Sequence, residues 1–328
     1  MIKVKGLTKT FKVHKKEPGF FGSAKSLLNR QYIEKKALNG LDLHLEEGEI
    51  IGLIGANGAG KTTLTKILSG IIHPTDGEVT VMGHNPWERN NEYRKSMSVI
   101  MGQKAQLWWD LPALDGFMLL REIYQIPKKE FNESIEYLSD CLNIKDQLKI
   151  QVRRLSLGER MKVEFMAALL HKPKIVYLDE PTIGLDLSAQ KAVRKFITDY
   201  RKEYNPTMIL TSHYMDDIEE LCPRICILKD GQSIYDGQLS TLHKKYANEK
   251  LIKAYVESED DAKKLIALFP GELGKLSINE NQLRISCPRE NAMDAARFLL
   301  NNSTIQDFNI QEEEIGDVIE KIMTQELK

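Results

Sequence analysis

Cysteine is scarce in this chain: four in 328 residues, at Cys141, Cys222, Cys226 and Cys287, with no CxxC pair. Cys222 and Cys226 have a spacing that two metal ligands can use, but no second pair or histidine cluster accompanies them. All four are therefore expected to be buried thiols of a cytosolic protein. An excess of one charge is also missing, since 46 basic residues face 47 acidic ones. That argues against a dedicated nucleic-acid binder, and no nucleic-acid partner is expected. No stretch approaches the 18 or so consecutive apolar residues of a membrane-spanning helix. The opening "MIKVKGLTKTFKV" alternates as a strand and does not read as a signal peptide. Internal repeats, low-complexity tracts and sustained heptads are absent as well. The expectation is a cytoplasmic chain whose role at a membrane would be peripheral.

What the chain has is the make-up of a globular protein, 42% hydrophobic and 28% charged, with room for one large domain and a smaller one. In its first two-thirds, short apolar runs each precede a turn or a helix pattern: "EIIGLIGA" (49–56), "KIVYLDE" (174–180) and "TMILTSH" (207–213). This is how buried parallel strands of an α/β sheet read. From about Glu92 to Ala168 the pattern turns to amphipathic helices such as "SIEYLSDCL", which predicts a helical subdomain. A further region covers about 241–328. "LIKAYVES" alternates; Ala262, Leu265, Ile266 and Phe269 share a helical face; "KLSI" and "QLRISC" flank Asn279-Glu280-Asn281 as a hairpin. Ala292, Ala295, Ala296 and Leu299, then "IQDFNI", then Ile315, Val318, Ile319 and Ile322 complete a β-α-β-β-α-β-α order. That order predicts a ferredoxin-like α+β module of about 80 residues, with a role in contact or dimerisation.

"GANGAGKTT" fits G-x-x-x-x-G-K-[ST] at Gly55, Gly60, Lys61 and Thr62, between a strand and the helix pattern "TTLTKILSGI". Its glycines let the backbone wrap phosphates, and N–H groups at the helix start point at negative charge. Gly55, Asn57, Gly58, Ala59, Gly60, Lys61, Thr62 and Thr63 are the expected nucleotide cradle. Lys61 would bridge the terminal phosphates, and the Thr62 hydroxyl would hold Mg²⁺. "IVYLDEPT" then delivers Asp179 and Glu180 to the carboxyl edge of the sheet. Asp179 would reach Mg²⁺ through water, and Glu180 would accept a proton from an attacking water.

Between and beyond these lie "MGQ" ending at Gln103, 42 positions after Lys61, then "LSLGE" (155–159), "GLD" (184–186) and "TSH" ending at His213, 33 positions after Glu180. The ordered set resembles the ATP-binding cassette (ABC) ATPases over residues 1–240. The resemblance implies a P-loop NTPase (RecA-like) core with antiparallel β and helical subdomains. It makes Gln103 a Mg²⁺-sensing residue that touches a membrane partner, Asp186 the D-loop aspartate, and His213 the switch histidine at the γ-phosphate. It also implies two chains enclosing two ATP molecules, each site pairing one chain's P-loop with the other's Ser156–Gly158 segment. A homodimer driving separately encoded permease subunits at the cytoplasmic face of the membrane is the simplest form.

The resemblance further implies an aromatic ring that stacks on adenine; Phe11 in "LTKTF" is placed in that role, with Tyr32 as the alternative. The intervening insertion, residues 14–36, carries six Lys/Arg against two acids. Ser23 would cap a short helix with Ala24, Leu27 and Leu28 on one face, suited to a bilayer surface, a membrane-subunit groove or its own domain. Trp108 and Trp109 read either as core or as anchors for a membrane subunit. In "LSLGE", Leu157 and Glu159 stand where the family usually has Gly and often Gln. The backbone N–H survives that change unless position 157 needs a positive φ. With "MGQKAQLWWDLP" and "LDEPTIGLD", the segment looks like a branch of ABC ATPases assigned to export; importers and soluble ABC proteins acting on ribosomes or DNA are the alternatives.

Overall fold

The computed structural model describes residues 1–14, 32–102, 104–246, 249–256, 259–279, 282–302 and 305–324. It divides into two compact units, Met1–Gly237 and Gln238–Lys328.

In the first unit the alternating start of the chain forms β1 (Ile2–His14), which pairs antiparallel with β2 (Tyr32–Leu45) and β4 (Asp76–Val81) in a three-stranded sheet. The apolar runs become β3 (Ile50–Ile54), β6 (Ile175–Asp179) and β7 (Thr207–Thr211), central strands of a six-stranded sheet ordered β5-β6-β7-β3-β8-β9. Here β5 is Met97–Met101, β8 Arg224–Lys229 and β9 Gln232–Gln238. The pairs β5–β6, β6–β7, β7–β3 and β3–β8 are parallel. Every residue of β3 and β7 is buried, because both faces of the sheet are covered. That is why these strands show no polar alternation.

Six helices accompany the large sheet: α1 (Lys61–Leu68), α2 (Asn91–Ser96), α3 (Ala113–Tyr124), α4 (Lys128–Leu142), α5 (Leu157–Leu169) and α6 (Leu187–Tyr204), followed by the short α7 (Met215–Leu221). The amphipathic stretch is helical from α3 onward, but Met97–Met101 inside it is a sheet strand, not helix. "MSVIM" is five residues long with only Ser98 and Ile100 buried. A run that short, wedged between helix patterns, is ambiguous by periodicity alone. The insertion is also shorter than its sequence suggests: Phe11 pairs with Lys35 and His14 with Tyr32, so both of its ends are strand. The short helix expected at Ser23–Leu28 lies outside the described residues.

The second unit runs α8 (Leu239–Tyr246), β10 (Glu249–Val256), α9 (Glu259–Leu268), β11 (Lys275–Asn279), β12 (Gln282–Pro288), α10 (Ala292–Asn302), β13 (Ile305–Glu312) and α11 (Ile315–Thr324). Its antiparallel sheet has the order β11-β12-β10-β13, which is a ferredoxin-like arrangement. Ile252, Ala254, Leu265, Leu283, Ile285, Ala295 and Leu299 form its core, and Ile266 of the expected helical face is exposed. Cys222, Cys226 and Cys287 are buried free thiols; Cys141 is exposed, against expectation.

Candidate active site

The carboxyl ends of β6, β7 and β3, adjacent in the sheet, bring together most residues that the sequence singles out. After β3 the chain turns through Gly55–Gly60 into α1. Gly60 has φ 112° and caps that helix without a side chain. A Cβ there would lie 2.6 Å from the Ala37 carbonyl oxygen of β2, so the loop's seat against the antiparallel sheet demands glycine. Lys61 is buried, and its Nζ folds back over the loop to donate to the carbonyls of Gly55 (2.6 Å) and Ala56 (3.3 Å). Burial pushes the Lys61 ammonium below its usual pKa, and the Glu180 and Asp179 carboxylates oppose that shift.

Thr62 Oγ1 donates to Asp179 Oδ1 at 3.2 Å, and Thr211 Oγ1 donates to the same oxygen at 2.7 Å. A hydroxyl and a carboxylate converging in this way form a hard-oxygen donor set that suits Mg²⁺. Glu180 follows with φ 54°, a left-handed conformation uncommon for a residue with a side chain. Its N–H is held by the Thr211 carbonyl (3.0 Å) and hydroxyl (3.1 Å). His213 Nε2 lies 2.9 Å from Glu180 Oε1. Thr62, Lys66, Met101, Gly102, Lys104, Asp179 and Glu180 line a cavity of about 290 Å³. Gln103 lies outside the described residues. Its neighbour Gly102 donates to the Asp179 carbonyl at 3.0 Å, and a Cβ there would meet the Glu180 carbonyl at 2.1 Å.

Ser156, Gly158 and Asp186 form a second group. Ser156 caps α5 in a reciprocal box with Glu159: its hydroxyl donates to Glu159 Oε2 at 2.8 Å, its N–H to the same oxygen at 2.9 Å, and it accepts from Glu159 N at 3.3 Å. The Ser156 backbone N–H, then its hydroxyl, hold the Glu159 carboxyl below the usual range. Leu157 is not among the residues with positive φ, and its side chain is exposed, packing toward Gly184. Asp186 caps α6 by accepting from Ala189 N at 2.9 Å. Phe11 sits on β1 with Lys9 Nζ 5.1 Å from its ring, and Tyr32 starts β2. Trp108 and Trp109 are about half exposed, which rules out a core role, and Arg160 lies 5.1 Å over the Trp109 ring.

Sequence reasoning missed the buried centre behind the acidic strand. Asp217 of α7 has no exposed surface. Its carboxylate accepts from Thr182 Oγ1 (2.5 Å), Ser212 Oγ (2.7 Å) and Arg194 Nη1 (3.0 Å), and Arg194 also pairs with Glu220 at 2.9 Å. One carboxylate thus ties down the residue two after Glu180 and the residue before His213. Glu164 of α5 was missed too; it accepts from the N–H groups of Gln106 (2.8 Å) and Leu107 (3.3 Å), just past Gln103. In sequence both acids look like ordinary helix-surface residues.

The family model described as ABC transporter matches residues 38–183, from β2 past the acidic strand. ABC transporter ATP-binding protein NatA of Bacillus subtilis is 32% identical over 216 residues, spanning 66% of this chain and 87% of that protein. The chain belongs to the ABC transporter family. Its enzymatic activity is ATP hydrolysis, with ATP as substrate and Mg²⁺ as cofactor. Bacitracin transport ATP-binding protein BcrA of Bacillus licheniformis is 27% identical over 303 residues, 87% of this ABC chain and 94% of that protein. Methionine import ATP-binding protein MetN 2 of Enterococcus faecalis is 31% identical over 229 residues, 69% and 66% of the two chains. The fold of the ABC chain is shared with a solved dimeric, post-hydrolysis ATP-binding cassette, MJ0796, bound to ADP and Pi. The TM-score is 0.60 at 22% identity, over 73% of this chain and 98% of that one.

Proposed function

We propose that this ABC chain is the ATP-hydrolysing subunit of an exporter, acting as two identical copies on separately encoded permease subunits at the cytoplasmic face of the membrane. The observation that carries the catalytic part is the convergence of Lys61, Thr62, Asp179, Glu180 and His213 at one sheet edge. The ATP phosphates lie on the N–H groups of Gly55–Thr63, and the Lys61 ammonium exchanges the Gly55 and Ala56 carbonyls for phosphate oxygens. Thr62, Asp179 and Gln103 hold Mg²⁺, which supplies Lewis-acid stabilisation of phosphate charge when bound. Glu180 takes the proton of the attacking water, a contribution of about 10²–10⁴ in rate. His213 orients that carboxylate and reaches the γ-phosphate.

Among the two rings, Phe11 is the adenine platform. It pairs with Lys35, two residues from the Ala37 carbonyl against which Gly60 packs. Tyr32 is five residues from Ala37, roughly 17 Å at about 3.4 Å per residue. Ser156 and the N–H groups at the start of α5 address the partner copy's ATP, and Asp186 lies beside them at the start of α6. Closure requires the Ser156 hydroxyl to leave Glu159 for phosphate. Half-exposed Trp108 and Trp109, which follow Gln103 in the same stretch of sequence, face the permease.

Export is supported by the alignment with the bacitracin transport ATPase, which covers 87% of this chain and 94% of that protein, whereas the match to the methionine importer covers 69% and 66%. The test is affinity purification of the tagged chain from solubilised membranes, followed by transport assays in inverted vesicles. Recovery with a polytopic membrane protein and ATP-driven uptake into inverted vesicles is the expected result. Recovery with ribosomes, or uptake only into right-side-out vesicles, contradicts it.

A further inference from the structure

On the face of the sheet where α6 and α7 pack lies a cavity of about 320 Å³, lined by Ile50, Ile197, Thr198, Arg201, Lys202, Asn205, Glu220 and Leu221. Ile50 begins β3, so the cavity stands at the amino end of the strand whose carboxyl end feeds the P-loop. It is distinct from the nucleotide site. We infer that it binds a small monocarboxylate with a short aliphatic body.

The volume is at the lower end of ligand pockets, about 300–1,000 Å³. Its apolar lining comes from Ile50, Ile197 and Leu221. Its rim is cationic. Among the described residues the Arg201 guanidinium donates one hydrogen bond, to the Gly48 carbonyl at 3.5 Å, and no carboxylate is within ion-pair distance of it or of Lys202. The one acid on the rim, Glu220, is already engaged by Arg194 at 2.9 Å. An arginine whose planar fork holds one long carbonyl contact and no carboxylate, over a small apolar floor, is matched by a carboxylate that takes two parallel N–H bonds. A neutral or cationic head forgoes them.

The cavity also adjoins the buried acid centre. Glu220 on its rim pairs with Arg194, which holds Asp217, which holds Thr182 and Ser212 beside the catalytic residues. Gly52 of β3 leaves α7 no slack, because a Cβ there would lie 3.0 Å from Ile218 Cδ1. An occupant between α6 and α7 therefore acts on the same packed unit that positions Glu180 and His213, and its presence is felt as a change in kcat rather than in KM for ATP.

The experiment is titration of the full chain with octanoate, with octan-1-ol and octylamine as matched neutral and cationic bodies, read by calorimetry and thermal midpoint. Arg201→Gln and Thr198→Phe, which fills the cavity, are compared with the parent chain, and ATP binding verifies the fold of each. Expected are saturable 1:1 binding of octanoate, at least tenfold weaker binding in Arg201→Gln, loss in Thr198→Phe, and at least tenfold weaker binding of the alcohol and the amine. Absence of saturable octanoate binding overturns the inference. So does equal affinity for octanol, or octanoate affinity unchanged in a folded Arg201→Gln or Thr198→Phe chain. Should one variant fail to fold, the other and the head-group series decide.

Discussion

His213 Nε2 and Glu180 Oε1 stand 2.9 Å apart, joining the segments that leave two adjacent parallel strands, β7 and β6. The contact fixes the direction of the carboxylate, while Thr211 fixes its backbone. Glu180→Gln keeps the shape but removes the proton acceptor. Turnover should fall by at least about 100-fold with ATP affinity nearly unchanged. His213→Ala frees the carboxylate and should lower kcat while sparing ATP binding. Steady-state ATPase assays with parallel nucleotide-binding measurements check both; wild-type turnover in Glu180→Gln would remove Glu180 as the base.

Gly60→Ala places a methyl 2.6 Å from the Ala37 carbonyl at φ 112°. Backbone has to move, and the loop moves with it. ATP binding should be lost together with some thermal stability, whereas Lys61→Ala should lose ATP binding with stability largely kept. Fluorescent-nucleotide titration and thermal melts separate the two outcomes.

Asp217 is the buried partner of Arg194. Asp217→Ala leaves the buried guanidinium with Glu220 as its one remaining carboxylate and strips Thr182 and Ser212 of their acceptor, and should destabilise the chain by about 3 kcal/mol. Replacing both, as Asp217→Leu with Arg194→Met, should cost less than the single change. Urea unfolding measures the difference. A smaller loss in the single variant than in the double would show that the pair does not hold this centre.

Leu157 has no positive φ, so glycine is not required there. Leu157→Gly should cost at most about 1 kcal/mol, equivalent to about fivefold in an equilibrium, and ATPase activity should change by no more than that. Ser156→Ala removes a cap worth about 1 kcal/mol and the group that addresses the partner's phosphate, so it should lower activity much further. Parallel assays of the two variants check the contrast.

The Glu159 carboxyl is held below its ordinary value of 4.5 by Ser156. A folded-state value below the unfolded one contributes stability at neutral pH that is lost as pH falls below about 4.5 and through the lowered value. Acid unfolding of Glu159→Gln, whose side chain keeps an acceptor without titrating, should start from lower stability at neutral pH and show a shallower loss below that point.

Much of this architecture was legible because it is written in local signals. Buried strands appear as unbroken apolar runs, and the phosphate loop as glycines between strand and helix. The ferredoxin-like module shows as alternation and helical period in sequence. What stayed hidden depends on distance along the chain. Nothing near "MDDIEEL" says that Asp217 faces a buried arginine 23 positions earlier rather than water. Met97–Met101 is too short for its period to speak, and it is a strand only because β6 pairs with it. The ends of the insertion are strand for the same reason, since pairing between β1 and β2 extends past the apolar pattern.

The most direct measurement is the mass in solution of the Glu180→Gln chain with and without ATP and Mg²⁺, by light scattering, beside a Glu180→Gln, Ser156→Arg double variant. A site completed by the second copy predicts monomers without ATP, dimers with it, and no ATP-dependent dimer once Ser156 is replaced. A Glu180→Gln chain that binds ATP yet stays monomeric, or that dimerises equally well with Ser156→Arg, would contradict it.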